Sequence, residues 1–302
     1  MGKLNLLITS ILTILLPFFA SAQDSTETKE EWKWDWEWDD EEWTDWKSKS
    51  PTISFHYGIS ELSRKDMLSS FADNALLELK LGYTTQKTST YADFISKFKY
   101  NYLFITKNST ALANNSPSFN IGTLNWRFGF ASSSGYGYKY GDNASITPYF
   151  TSSLDWTRID FKIVPWVTTS GTPTYILDEE TFKKYDDTFR FGTSSEAGIR
   201  IQPTSLIVLE AGYERSIVFE RHLFWKWAGS GIIELAANGL LDVFIKEIFK
   251  SSPSAGPIVF LVLKSALGYG LYELRQDKMN WPFTSAPPIA FNNIKFGVSF
   301  VF

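Results

Sequence analysis

The chain has 302 residues, a formal net charge of −4, no cysteine and only two histidines. Disulfides, thiolate metal sites and transition-metal clusters are therefore not expected, nor is any cofactor, and the near-neutral balance offers no footprint for nucleic acid. Aromatic residues make up 17% of the chain, more than a soluble core needs, and Trp and Tyr at that density suit a lipid interface.

In chain order, Lys3 precedes an apolar run from Leu4 to Ala20, and Ala20-Ser21-Ala22 supplies a small-x-small pattern. That is a secretory signal peptide over residues 1–22, with cleavage expected after Ala22. Residues 23–50 are strongly acidic, with 11 acidic against 4 basic side chains. Trp32, Trp34, Trp36 and Trp38 alternate with charges, and Trp43 and Trp46 follow among acids. This composition reads as a flexible tether. Its indoles are candidate contacts for a glycan or a protein partner. No later segment offers ~20 uninterrupted apolar residues, so a helical membrane protein is not expected.

Residues 51–302 read as a single β domain. Candidate strands are Thr52–Ser60, Ala75–Thr85, Phe98–Thr106, Phe119–Ala131, Ser145–Trp156, Thr157–Val167, Thr188–Ile201, Leu206–Phe219 and Ala290–Phe302. Alternation is plain in several. Leu77, Leu79, Leu81 and Tyr83 oppose Glu78, Lys80 and Gly82, while Leu124, Trp126, Phe128 and Phe130 oppose Asn125, Arg127 and Gly129. Short connections are expected at Asp155–Arg158 and Gln202–Ser205, long ones at Gly135–Asn143, Ser170–Asp187 and Glu220–Ile289. Gly135 to Gly141, rich in Gly and Tyr, reads as a flexible aromatic loop. Nine candidates conflict with the even strand number of bacterial single-chain barrels. Thr52–Ser60 is the odd one out, and ten strands, one of them undetected, are favoured over eight. Within 223–278, Glu234, Asn238, Asp242, Lys246 and Lys250 recur at i+4 steps, the signature of an amphipathic helix. Ser251 to Pro257 breaks it, and Ile258–Gln276 forms a second helix. This hairpin is expected at the barrel rim or the lipid interface, with a lumenal plug as the alternative.

The final stretch alternates again. Ile294, Phe296, Val298, Phe300 and Phe302 share one face, and Lys295, Gly297 and Ser299 the other. This ending resembles the C-terminal strand of bacterial outer-membrane β-barrels, in which a terminal aromatic residue belongs to the assembly signal. The resemblance covers most of Thr52–Phe302 and points to no subfamily. It implies an all-β, antiparallel up-and-down transmembrane barrel of 8–10 strands with a helical hairpin before the last strand. It further implies Phe296, Val298, Phe300 and Phe302 as the assembly signal, a Gram-negative outer membrane with the N-terminal segment in the periplasm, and membrane lipid and the barrel-assembly machinery as partners.

Charges assigned to the lumen are Glu78, Lys80, Arg127, Asp155, Arg158, Asp160, Lys162, Glu196, Arg200, Glu210 and Glu214. Buried ions of both signs in a narrow barrel should pair, so a closed, salt-bridged lumen is expected ahead of a narrow channel. Outer-membrane lipases and deacylases place Ser two residues after His. Here His56-Tyr57-Gly58 and His222-Leu223-Phe224 lack that pattern, and no catalytic residues are assigned. Glu179-Glu180 and Asp186-Asp187 read as solvated loop charge. A structural or interaction role is the resulting expectation, with a channel and a lipid-modifying enzyme as alternatives.

Overall fold

The structure is a computed structural model that describes residues 49–113, 121–141, 144–162 and 178–302. The expected signal peptide and the Trp-rich segment lie outside the described residues. Eight strands form one closed antiparallel barrel in sequence order. They are β1 (Ser50–Ser63), β2 (Asn74–Thr88), β3 (Ile95–Ser109), β4 (Gly122–Lys139), β5 (Ser145–Lys162), β6 (Phe189–Gln202), β7 (Ile207–Val218) and β8 (Ile289–Val301). β8 pairs with β1 from Val301 opposite Thr52 to Ala290 opposite Ser63, which closes the ring and leaves no sheet edge. We call the end carrying Ser50 and Val301 the terminal end and the opposite one the distal end.

Alternation builds the wall. Phe55, Tyr57, Ile59, Leu77, Leu81, Leu103 and Ile105 point outward, and Leu103 is 63% exposed. The intervening Ser54, His56, Glu78, Lys80, Tyr102 and Phe104 are buried inside. Polar within and apolar without is the reverse of a soluble barrel, and it matches a barrel whose outer solvent is lipid. The same parity holds to the end of β8, where Ile294, Phe296 and Phe302 are exposed and Lys295 and Ser299 are buried.

The strand number corrects the expectation of ten. Ser145–Trp156 and Thr157–Val167 are not two strands; residues through Lys162 form one continuous strand, paired with β4 along most of its length. The turn expected at Asp155–Arg158 therefore does not exist. Thr52–Ser60 is an integral strand bonded on both sides. Gly135 to Lys139 is the last part of β4, with Tyr138 opposite Ile146, so these residues are strand and not an aromatic loop.

Among the described residues, three helices complete the fold. α1 (Glu179–Tyr185) caps the distal end, with Glu179 and Glu180 in its first turn, where a helix N-terminus favours anions. α2 (Phe224–Ser251) and α3 (Gly256–Asp277) form the expected hairpin, broken at Ser252-Pro253, with Pro257 in the first turn of α3. The region Ala266–Arg275, a candidate hidden strand, is helical.

The hairpin lies neither on the rim nor in the lumen. It runs down the outside of the wall, with α3 against β4, β5, β6 and β7. Near the distal end, Tyr272, Leu223 and Trp227 pack with Ile217, Phe219 and Phe191. At the terminal end, Ile245, Phe249 and Phe260 pack with Ile95, Tyr91 and Tyr136, and the Tyr138 hydroxyl donates to the Ser254 carbonyl at the hairpin tip, 2.5 Å away. At 1.5 Å per residue α2 is about 42 Å long, more than the ~30 Å of a hydrocarbon core. Both helices are long and apolar enough to cross a membrane. Outward-facing Trp225, Ile232, Leu235, Leu240 and Val243 are exposed along α2, as they would be towards lipid. Most of the i+4 polar row turns to α3, while Lys246 and Lys250 are exposed. Asp242 and Asn238 meet Lys264 of α3 at 2.7 and 3.0 Å, and Glu234 meets Arg275 at 2.8 Å.

Candidate functional site

The lumen is filled in layers from the terminal end. Hydroxyls come first: Thr52 donates to Thr84 at 2.9 Å, and Ser299 to Ser54 at 2.6 Å. An ionic layer follows. Lys295 Nζ stands 3.0 Å from Glu78 and 2.6 Å from Glu196, and also pairs with Glu214. Lys80 lies 3.3 Å from Glu78 and 3.7 Å from Glu196, and Arg127 bridges Glu214 and Glu78. His56 Nε2 sits 2.9 Å from Glu210, whose other oxygen is 3.4 Å from Arg200 Nε. The Tyr149 hydroxyl donates to Glu196 at 2.6 Å. Next comes an amide layer, in which Asn74 donates to Thr123 at 2.8 Å and Asn108 to Ser60 at 2.7 Å. Leu62, Phe71, Ile121, Ile159, Phe182, Tyr185, Val218, Ile289 and Phe291 then close the distal mouth as an apolar stopper.

Register explains why Lys295 is central. Glu196 on β6 and Glu214 on β7 are directly opposite each other, a repulsive pairing unless a cation is shared. β8 delivers that cation, because Lys295 lies opposite Gly212 on β7. The glycine leaves room: a Cβ on Gly212 would collide with Glu196 and the Tyr149 hydroxyl. Gly297 does the same for His56, whose ring occupies the space a Cβ would take. Eight strands leave an interior just wide enough for side chains to fill, and here large and absent side chains alternate to fill it. Aromatic faces complete the walls, with Arg200 4.2 Å from the Phe98 ring centre and Lys80 5.0 Å from that of Tyr102.

Of the expected lumen charges, Glu78, Lys80, Arg127, Asp155, Glu196, Arg200, Glu210 and Glu214 are brought together inside. Arg158, Asp160 and Lys162 are not. They sit on the outward parity of β5, opposite to Asp155, and Arg158 pairs with Asp187 and Asp160 above the apolar belt. Lys295 and His56 belong to the network and were missed. Parity could have found both, since each alternates with outward apolar neighbours. The Trp-rich candidates lie outside the described residues. His222 packs among Phe191, Phe224 and Trp227, and among the described residues neither histidine bonds a serine. Nor do the described residues hold a group of three or more His, Cys, Asp or Glu able to share a metal ion.

No protein-family model and no curated protein matches the chain. Solved structures do. Neisserial surface protein A (NspA) is 11% identical, covering 83% of this chain and 97% of that one at a TM-score of 0.38. Ail, the attachment invasion locus protein of Yersinia pestis, is 8% identical, covering 84% and 99% at a TM-score of 0.34. At these values neither structure says what this chain binds or does.

The distal loops are tied together by one cation. Arg64 donates to Asp66 at 2.6 Å, to Glu220 at 3.0 Å and to the Tyr185 hydroxyl at 3.0 Å, and Lys184 adds a second contact to Glu220 at 3.2 Å. Partial burial alone would raise both carboxyls, but the bonds and charge of Arg64, joined at Glu220 by Lys184, outweigh it and hold them below their ordinary range.

Proposed function

We propose that the chain is a closed, non-conducting outer-membrane barrel with a structural or interaction role. It anchors the acidic Trp-rich segment on the terminal, periplasmic side and holds the loops at the distal, cell-surface side. The observation carrying this reading is the lumen, where a buried ionic network around Lys295 is followed by an apolar stopper. The outward apolar belt supports lipid as the outer solvent. The indoles between Trp32 and Trp46 would then capture a periplasmic glycan or protein.

Two measurements test this. Purified chain reconstituted in planar bilayers should give no single-channel conductance; stepwise openings would overturn the closed reading. Deleting Glu31–Trp46 should leave the heat-modifiable barrel in the outer-membrane fraction and abolish partner capture only. Loss of insertion would overturn the tether.

A further inference from the structure

The hairpin does not lie flush against the wall. Between α2, α3 and the outer faces of β4 to β7 is a cavity of about 400 Å³. Phe130, Phe150 and Ser152 line it from the wall, Leu271 and Asn238 from the hairpin, and Arg215, Arg275 and Glu234 also reach it. Arg275 already has partners in Glu234 and Ser230, at 2.8 and 3.1 Å. Arg215 points outward from β7 with its guanidinium carbon 4.5 Å from the ring centre of Tyr213 and 4.4 Å from that of Tyr269. Among the described residues no carboxylate pairs with it. Ring faces position a cation but leave its N–H donors without acceptors. A charge on the lipid side of a barrel is costly without a counter-ion.

A second cavity of about 410 Å³ shares Phe130 and Leu154 with the first and continues to Trp156, His222 and Trp227. Polar at Arg215 and mostly aromatic towards the far end, where Arg190 also lines the cavity but already donates to the Lys184 carbonyl, the groove has the two-part chemistry of an amphiphile. Each cavity is at the small end of ligand sites, which span ~300–1,000 Å³, so one chain and a compact headgroup fit better than a whole diacyl lipid.

We infer that the groove between hairpin and wall binds a single-chain amphiphile, its anionic headgroup on Arg215 and its acyl chain along Phe130, Phe150 and Leu154. The inference rests on the membrane reading above. The test uses the full chain folded in neutral maltoside micelles and titrated with dodecyl phosphate, with binding followed by native mass spectrometry. One saturable site is expected, weakened at least tenfold in Arg215→Gln and lost in Ser152→Leu, which fills the groove and leaves the cation in place. Dodecanol and inorganic phosphate should not compete. Equal binding of dodecanol, saturation by inorganic phosphate, or unchanged affinity in both variants would each overturn the site. Heat-modifiability on a gel scores folding separately. If Arg215→Gln fails to fold, Ser152→Leu decides, and a chain that inserts without binding sinks only this inference.

Discussion

Lys295 is the residue on which the interior depends, since it is 1% exposed and contacts three carboxylates. Removing one partner from a buried ionic network leaves charge without compensation and costs about 3–5 kcal/mol. Lys295→Met should lower the unfolding free energy by that amount in urea titrations of the liposome-inserted barrel; a change under ~1 kcal/mol would mean the remaining cations suffice. At the distal loops the sign is set by Asp66 and Glu220. Their carboxyls titrate below the ordinary values of 3.8 and 4.5 in the folded chain. The stabilisation they bring is thus fully present above about pH 4.5 and disappears as pH falls through the lowered values. Protection of the Met67 amide, which donates to the Arg64 carbonyl at 3.3 Å, relative to its intrinsic exchange should be high at neutral pH and fall below about pH 4, and Arg64→Gln should remove that dependence. Residue roles were readable where the outward face is apolar. Lys295 alternates with Ile294 and Phe296, and its place among the lumen charges follows from that spacing alone.

At the scale of elements, β5 shows where alternation misleads. Leu154 and Trp156 face out and Asp155 faces in, yet three residues later Arg158 and Asp160 face out and Ile159 faces in. The strand does not turn. Its surroundings exchange, from an apolar outer face over ions inside to a charged outer face over the apolar stopper inside. A period-2 pattern that inverts phase looks like a turn in sequence, which is why one strand read as two. The hairpin was legible as two helices, because its polar row repeats at i+4. Its location was not, because most of the row meets Lys264 and Arg275 rather than water, and nothing local says which partner a polar stripe will find. If α2 faces lipid at Leu240, which is 63% exposed, Leu240→Lys should destabilise the inserted protein by about 2.5–3.5 kcal/mol. An effect within ~0.5 kcal/mol, ordinary for a water-facing surface position, would place that face in water.

For the whole molecule, closure joins the first strand to the last, and some 70 residues, the helical hairpin among them, stand between β7 and the strand that completes the ring. Both helices meet the length and composition of membrane spans, which poses a problem of travel rather than of stability. A secreted chain bound for an outer membrane must first pass the inner one without being retained there. Ionised residues at a helix centre oppose lateral release from the translocation channel by roughly 2.5–3.5 kcal/mol each. Asp242 and Lys264 stand near the middle of their helices and neutralise each other only once the hairpin has folded. On the proposed outer-membrane reading they are separate during export and oppose retention of each segment; afterwards they become a bond 2.7 Å long. Asp242→Leu with Lys264→Leu should therefore leave precursor stranded in the inner-membrane fraction, although the same pair would be harmless in protein folded from denaturant. On that reading, the charges that brace the finished hairpin are also what would let it arrive.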